Sequence, residues 1–352
     1  MQDPGPRGSS GISVSCCSRV ASPLACPIPA THVAEMQQRI QLLRGHESGR
    51  SASSGQLTAR NLPLGNAMSE VSHRPNGALG VWRAGFGIGA RVLRKELVLG
   101  LKRLALPVSY WRAAEFAYVS RQLTIPHGAR VLDVGSPKDL AAIFARERGF
   151  EVVATDILPA AIELSRRYST AQDLDGAGAG RVVSEIQDGR ALSYSDNSFD
   201  AAFSVSVLEH IPNDGDTLAI RELVRVVKPG GLVVVTTPYD LRYRETFVDG
   251  SVYERQQEAR EPVFFERHYD EVTLQERLLT PSGADLLDLQ LWGEGSVRVE
   301  GILSNLGPVR LPVSPFEAML SAMFLRRVHA GNGGHAMAAF FTLRKPLARN
   351  DA

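Results

Sequence analysis

Beyond Cys26 this chain has no cysteine. Cys16, Cys17 and Cys26 are all it has in 352 residues, so the remainder can close no disulfide and offers no thiolate as nucleophile or zinc ligand. No metal is expected on that ground, and the expected compartment is a reducing, cytoplasmic one. Long hydrophobic runs are missing too: nothing approaches the ~20 consecutive apolar residues of a transmembrane helix. Nor does one sign of charge prevail, with 39 Lys and Arg against 38 Asp and Glu. A net charge of +1 gives no reason to expect a nucleic-acid partner.

What is present divides the chain. Residues 1–77 are crowded with Gly, Ser, Pro, Arg and Gln. Such a segment buries too little apolar surface to offset its ordering entropy, so a disordered tail is expected there. Within it, Val33, Met36, Ile40 and Leu43 fall at helical spacing over 33–44. Arg7 and Arg19 lend positive charge, but Ser and Pro interrupt every apolar stretch, so no secretory signal is read. Met36 and Met68 stand as alternative starts.

Residues 78–126 read as an N-terminal helical region. Over 81–104 a broad apolar surface (Val81, Trp82, Phe86, Ile88, Val92, Leu97, Val98, Leu101) carries Arg83, Arg91, Arg94, Lys95, Lys102 and Arg103 along with it. One reading is a helix packed on the main domain with its cations in water. The other is peripheral contact with a membrane surface. Pro107 ends this stretch, and 109–123 forms a second amphipathic helix.

From 127 to 346 strands and helices alternate. Strands are expected at 130–134, 151–155, 181–186, 201–206 and 232–236, with helices at 140–148, 160–168 and 217–227. Val- and Ala-rich strands separated by helices imply parallel β-α-β units in a doubly wound, Rossmann-like α/β sheet. Its ligand site lies at the carboxyl ends of the strands.

Four groups of residues stand at those ends. Val131-Leu132-Asp133-Val134-Gly135 is a strand closing on an acid and a glycine turn. Val152-Val153-Ala154-Thr155-Asp156, followed by Ile157, ends on a carboxylate about twenty residues later, placed to accept ribose hydroxyls. Gln187-Asp188-Gly189 suits an adenine amino group. Asn197-Ser198-Phe199-Asp200 leads through a strand bearing Ser204 into Leu208-Glu209-His210-Ile211-Pro212. Lys228-Pro229-Gly230-Gly231 then precedes the next strand.

This ordered set, over about a hundred residues from 130 to 238, resembles the class I S-adenosylmethionine (SAM)-dependent methyltransferases, especially the branch similar to ubiquinone-biosynthesis methyltransferases. The resemblance implies a mostly parallel seven-stranded sheet with an antiparallel last strand, and SAM as cofactor. It implies cofactor contacts from Asp133, Gly135, Ser136, Lys138, Asp156, Ile157, Asp188, Gly189 and Ser204. The acceptor of the methyl group is expected to be a small molecule, methylated on O, N or C. Glu209 and His210 are the candidates for a general base.

One departure stands out. The family continues D-x-G-x-G-x-G, whereas this chain reads Gly135-Ser136-Pro137-Lys138-Asp139. Pro137 stiffens the turn and removes a backbone donor, leaving Ser136 or Lys138 to meet the SAM carboxylate. The alternative is a decayed SAM-binding module with a regulatory or scaffold role. A nicotinamide oxidoreductase is disfavoured by the missing G-x-G-x-x-G.

Residues 239–280 are expected to form a substrate lid. Tyr239, Arg267, His268 and Tyr269 are its candidate substrate contacts, and a helical arm with surface arginines is the plainer reading. A helix at 273–278, a strand at 286–291, an apolar helix at 315–328 and a last strand at 336–343 complete the expected fold.

Overall fold

A computed structural model describes residues 77–176, 178, 180–248, 262–328 and 335–347. The tail expected over 1–77, including its 33–44 helix, lies outside the described residues except for Gly77.

The chain enters through three helices, α1 (Ala78–Leu93), α2 (Leu97–Ala105) and α3 (Tyr110–Gln122). The apolar stretch expected to run unbroken over 81–104 is therefore two helices with a corner at 94–96. Gly100 permits the corner: a Cβ there would lie 2.3 Å from the Leu93 Cα, so only glycine lets α2 fold back onto α1.

The alternating region follows as β1 (Arg130–Val134), α4 (Lys138–Arg148), β2 (Glu151–Asp156), α5 (Pro159–Ala171), β3 (Arg181–Ile186), β4 (Phe199–Val205), α6 (Gly215–Val226) and β5 (Val227–Pro238). These strands pair in parallel, in the order β3-β2-β1-β4-β5. The two-residue period of a strand divides its side chains between two cores. Val131, Val152 and Ala154 pack with α1, α3, α4 and α5 on one face. Leu132, Val134 and Val153 pack with α6 on the other. Strand order reverses between β1 and β4, and a crevice opens at their carboxyl ends.

The sheet then completes the expected seven strands, with the last one antiparallel, and adds an eighth. β8 (Asp285–Glu294) and β10 (His335–Arg344) join it, with β10 antiparallel between β5 and β8. An eighth strand, β9 (Leu325–Arg327), pairs antiparallel with the outer edge of β8. The helix expected over 315–328 thus covers only Glu317–Phe324 (α9), because Leu325 turns away to cap an otherwise open sheet edge.

Residues 239–280 differ from a helical arm. β6 (Arg244–Val248) and β7 (Val263–His268) pair as a separate antiparallel ribbon. Its exit is fixed by a capping box in which Asp270 and Thr273 exchange hydrogen bonds. The helical segment expected over 273–278 then runs longer, as α7 (Glu271–Leu274), a π turn at Gln275–Leu279 and α8 (Thr280–Ser282). Among the described residues no helix is long and apolar enough to cross a membrane.

Candidate active site

The crevice at the strand ends is a cleft of about 510 Å³. That is within the range of small-molecule and cofactor sites, roughly 300–1,000 Å³. Four of the five parallel strands contribute to its lining: Val134 at the end of β1 with Gly135 after it, Asp156 at the end of β2 with Ile157 and Leu158 after it, Asp188, Gly189 and Arg190 after β3, and Ser206, Val207, His210 and Ile211 after β4.

Gly135 makes the cleft possible. Its φ is +72°, where side chains are disfavoured, and a Cβ would sit 2.6 Å from Val207 Cγ1. Gly135→Ala combines a left-handed backbone penalty with overpacking, about 2–4 kcal/mol together. The expected outcome is a thermal midpoint several degrees lower with weakened ligand binding. An unchanged midpoint in a thermal-shift measurement contradicts this placement of Val207.

Two carboxylates face the cleft, and each already holds a cation of this chain. Asp156 Oδ1 accepts the Leu158 amide at 2.9 Å, and Oδ2 lies 2.6 Å from Lys138 Nζ. Asp188 accepts from the Arg190 backbone amide at 2.9 Å and from its guanidinium at 2.6–3.0 Å. Those hydrogen bonds to Arg190 hold its carboxyl below the usual Asp range. Between them Ile157 is more than half exposed, an apolar surface open to a flat ring.

Four residues expected to touch the cofactor are instead buried behind the wall. Asp133 is fully buried, and its Oδ1 accepts the Ser136 amide at 3.2 Å. Burial pushes its carboxyl up to about 6, with Lys138 pulling the other way. It shapes the turn. The Ser136 hydroxyl accepts the Val205 amide at 3.0 Å, so it ties the turn to β4 and does not face a ligand. Ser204 donates to the Val134 carbonyl at 2.9 Å, stitching β4 to β1 beneath the floor. Lys138, the first residue of α4, reaches the cleft edge only through Asp156.

Ser206, which the sequence did not single out, faces the cleft with a left-handed backbone, φ +49°. Its hydroxyl donates to Glu115 Oε1 at 2.5 Å. Glu115 comes from α3, is buried, and also accepts from Thr236 at 2.9 Å and Arg112 at 2.6 Å. One signal for it was visible: an acid inside the apolar run Ala113-Ala114-Glu115-Phe116-Ala117.

Glu209 and His210 part company. Glu209 is buried behind the cleft wall, and burial holds its carboxyl well above the usual Glu range. His210 lines the cleft. Its Nδ1 lies 2.9 Å from the Phe265 carbonyl, which can only accept, so Nδ1 carries the proton and Nε2 the lone pair. Nε2 is 3.8 Å from Glu209 Oε1 and 4.0 Å from Glu266 Oε2. Burial lowers the imidazole's affinity for a second proton, against the pull of Glu266. The arrangement is a neutral imidazole with its basic nitrogen held in place.

The expected acceptor contacts in 239–280 lie apart from the cleft lining. Tyr239 and Tyr269 are core residues, and the Tyr269 hydroxyl donates to Asp216 at 2.8 Å. Arg267, taken as a surface or substrate arginine, is fully buried, 2.6 Å from Asp216. Arg277 joins the same carboxylate at 2.7 Å, and together these groups pull its pKa down against the cost of burial. They anchor the β6–β7 ribbon to α6. His268 sits on the ribbon, bonded to Glu266 at 3.1 Å and Arg244 at 3.1 Å.

Parts of this chain are similar to known proteins. A family described as methyltransferase domain matches residues 132–235, from the middle of β1 into β5. A ubiquinone biosynthesis O-methyltransferase from Alkalilimnicola ehrlichii is 32% identical over 120 residues, 34% of this chain and 46% of that protein. A 2-methyl-6-phytyl-1,4-hydroquinone methyltransferase from Synechocystis is 36% identical over 113 residues, 32% of this chain and 33% of that one. The chain thus spans less than half the length of either relative. Among solved structures, a SAM-dependent methyltransferase from Methanosarcina mazei aligns over 64% of this chain and 97% of its own, at 18% identity and a TM-score of 0.42. The methyltransferase-domain match, residues 132–235, thus coincides with the strands and helices that build the cleft.

Proposed function

We propose that the protein transfers a methyl group from SAM to an oxygen or carbon of a small, weakly acidic acceptor of the phenol or hydroquinone class. The observation that carries the reading is His210: a neutral imidazole with its basic nitrogen fixed, in the same cleft as Asp156 and Asp188. An amine acceptor needs no such base, whereas a hydroxyl or a ring carbon does.

The residues present fit SAM. Gly135 lines the cleft with no side chain between its backbone and a ligand, Asp156 and Asp188 offer acceptors for ribose and adenine, and Ile157 offers an apolar face for the ring. When bound, SAM supplies an activated methyl on a sulfonium. This chain's part is then to orient the acceptor, exclude water and remove its proton at His210 Nε2. Ser206, with its hydrogen committed to Glu115, presents lone pairs that accept a hydrogen bond from the acceptor or from the cofactor's ammonium. The β6–β7 ribbon borders the cleft where its Phe265 carbonyl holds His210. The two relatives are named for quinone-type chemistry, which supports the acceptor class. A cytoplasmic site of action is supported by a chain whose three cysteines all fall within its first 26 residues.

Calorimetric titration with SAM and with S-adenosylhomocysteine tests the first half. Binding of both is expected, and binding of neither sinks the proposal. Incubation with methyl-labelled SAM and a panel of phenols, hydroquinones and amines tests the second half. Labelled phenols or hydroquinones are expected; label on amines alone overturns the acceptor class.

A further inference from the structure

On the outer side of α1 and α2 the exposed residues are of two kinds only. Along α1 they are Leu79, Arg83, Phe86 and Ala90, continuing to Arg94 at its end. The steps of three and four residues place them on one helical face. After the corner come Lys95, Leu97, Val98, Leu101 and Lys102. Leu97 is 65% exposed and Leu101 52%, well beyond what a packed helix shows.

Charge makes the face more specific. Residues 78–105 hold six Lys and Arg but one acid, Glu96, in a chain whose overall charge is +1. Glu96 accepts from Arg167 at 3.0 Å. Lys95 and Arg103 are paired with Asp173 and Asp139. Arg83, Arg94 and Lys102 have no carboxylate partner among the described residues, and they flank the exposed leucines. A second segment adds to this side: Trp82 stacks on Phe86 and donates from Nε1 to the Pro315 carbonyl at 2.6 Å. The neighbouring Phe316 is half exposed. Apolar side chains ringed by cations, with the single acid of the stretch already paired, are the composition of a helix lying in a lipid interface.

We propose that the exposed face of α1 and α2 docks on an anionic lipid surface, with Leu97, Val98, Leu101 and Phe86 entering the interface. Arg83, Arg94 and Lys102 meet headgroup phosphates. This face lies outside the cleft lining, so the proposal stands or falls apart from the methyl-transfer reading.

Co-sedimentation of the full chain with phosphatidylcholine vesicles, with and without phosphatidylglycerol, tests it. Each cation near an anionic surface contributes about 1 kcal/mol, so binding at least about tenfold tighter is expected with phosphatidylglycerol, falling as salt rises. Leu97→Ser with Leu101→Ser, and separately Arg83→Gln with Lys102→Gln, should each release the protein. These side chains are exposed, so the thermal midpoint and the SAM titration should not move. Equal or absent binding to the two vesicle types overturns the proposal. So does retention by the variants, a salt-dependent preference for DNA over vesicles, or a dimer in solution that Leu97→Ser dissolves.

Discussion

Asp156→Ala is expected to weaken SAM binding by at least about a hundredfold in calorimetric titration. Two hydrogen bonds from ribose hydroxyls to an ionised acceptor are worth roughly 1.5–3 kcal/mol each, and about 2.7 kcal/mol is already a hundredfold. A second loss adds to the first. Lys138 Nζ lies 2.6 Å from Asp156, with the Lys138 side chain only 8% exposed. Without Asp156 that ammonium loses its counter-ion in a nearly dry position, which is costly. The alanine also removes the acceptor of the Leu158 amide at the start of α5. Asp156→Asn combined with Lys138→Met separates these effects, because the Asn carbonyl keeps the Leu158 bond and no unpaired ammonium is left behind. It should keep the fold near wild type and still bind SAM poorly. Lys138→Met, which leaves the carboxylate and removes the cation, should bind SAM about as well as wild type. Unchanged affinity in Asp156→Ala would refute the ribose placement outright.

The order of strands and helices around the cleft was legible because it follows from period. Val131, Leu132, Val152 and Val153 alternate between two cores, so each strand announces itself by buried β-branched residues, and Gly135 and Asp156 by ending them. The contents of the cleft were only partly legible. Residue type does not say which way a side chain turns at a strand end. Ser204 and Ser206 are two residues apart in one sequence run, yet one is stitched to the Val134 carbonyl and the other opens on the cleft. Lys138 and Asp156 meet across eighteen residues, and Glu115 reaches Ser206 across ninety-one. No local spacing encodes such contacts. The substrate-side expectations failed for a related reason. Arg267 and Tyr269 look like surface recognition residues until the fold supplies a buried partner, Asp216, from a distant helix. β9 was missed because three residues leave too little pattern to distinguish a sheet edge from the end of a helix.

His210→Gln is expected to lower kcat for methyl transfer by about a hundredfold or more while changing SAM affinity less than threefold. General-base catalysis typically contributes 10²–10⁴-fold, and the glutamine amide keeps an N–H for the Phe265 carbonyl but has no basic nitrogen. The pH dependence carries the same argument. Burial holds the folded-state pKa of His210 below its ordinary 6.5. The neutral, competent form therefore persists through neutrality, and kcat should fall only as pH drops below 6.5 through that lowered value. That acid limb should vanish in His210→Gln. The same lowered pKa makes the unfolded chain the better proton acceptor, so His210 also subtracts stability as pH falls through this window. Glu209→Gln supplies the contrast. Burial disfavours the charged form of Glu209 and raises its pKa, so a neutral amide of the same shape should leave kcat within about threefold and the limb in place. If Glu209→Gln abolishes turnover and His210→Gln does not, the roles are reversed, and the base is the buried carboxylate.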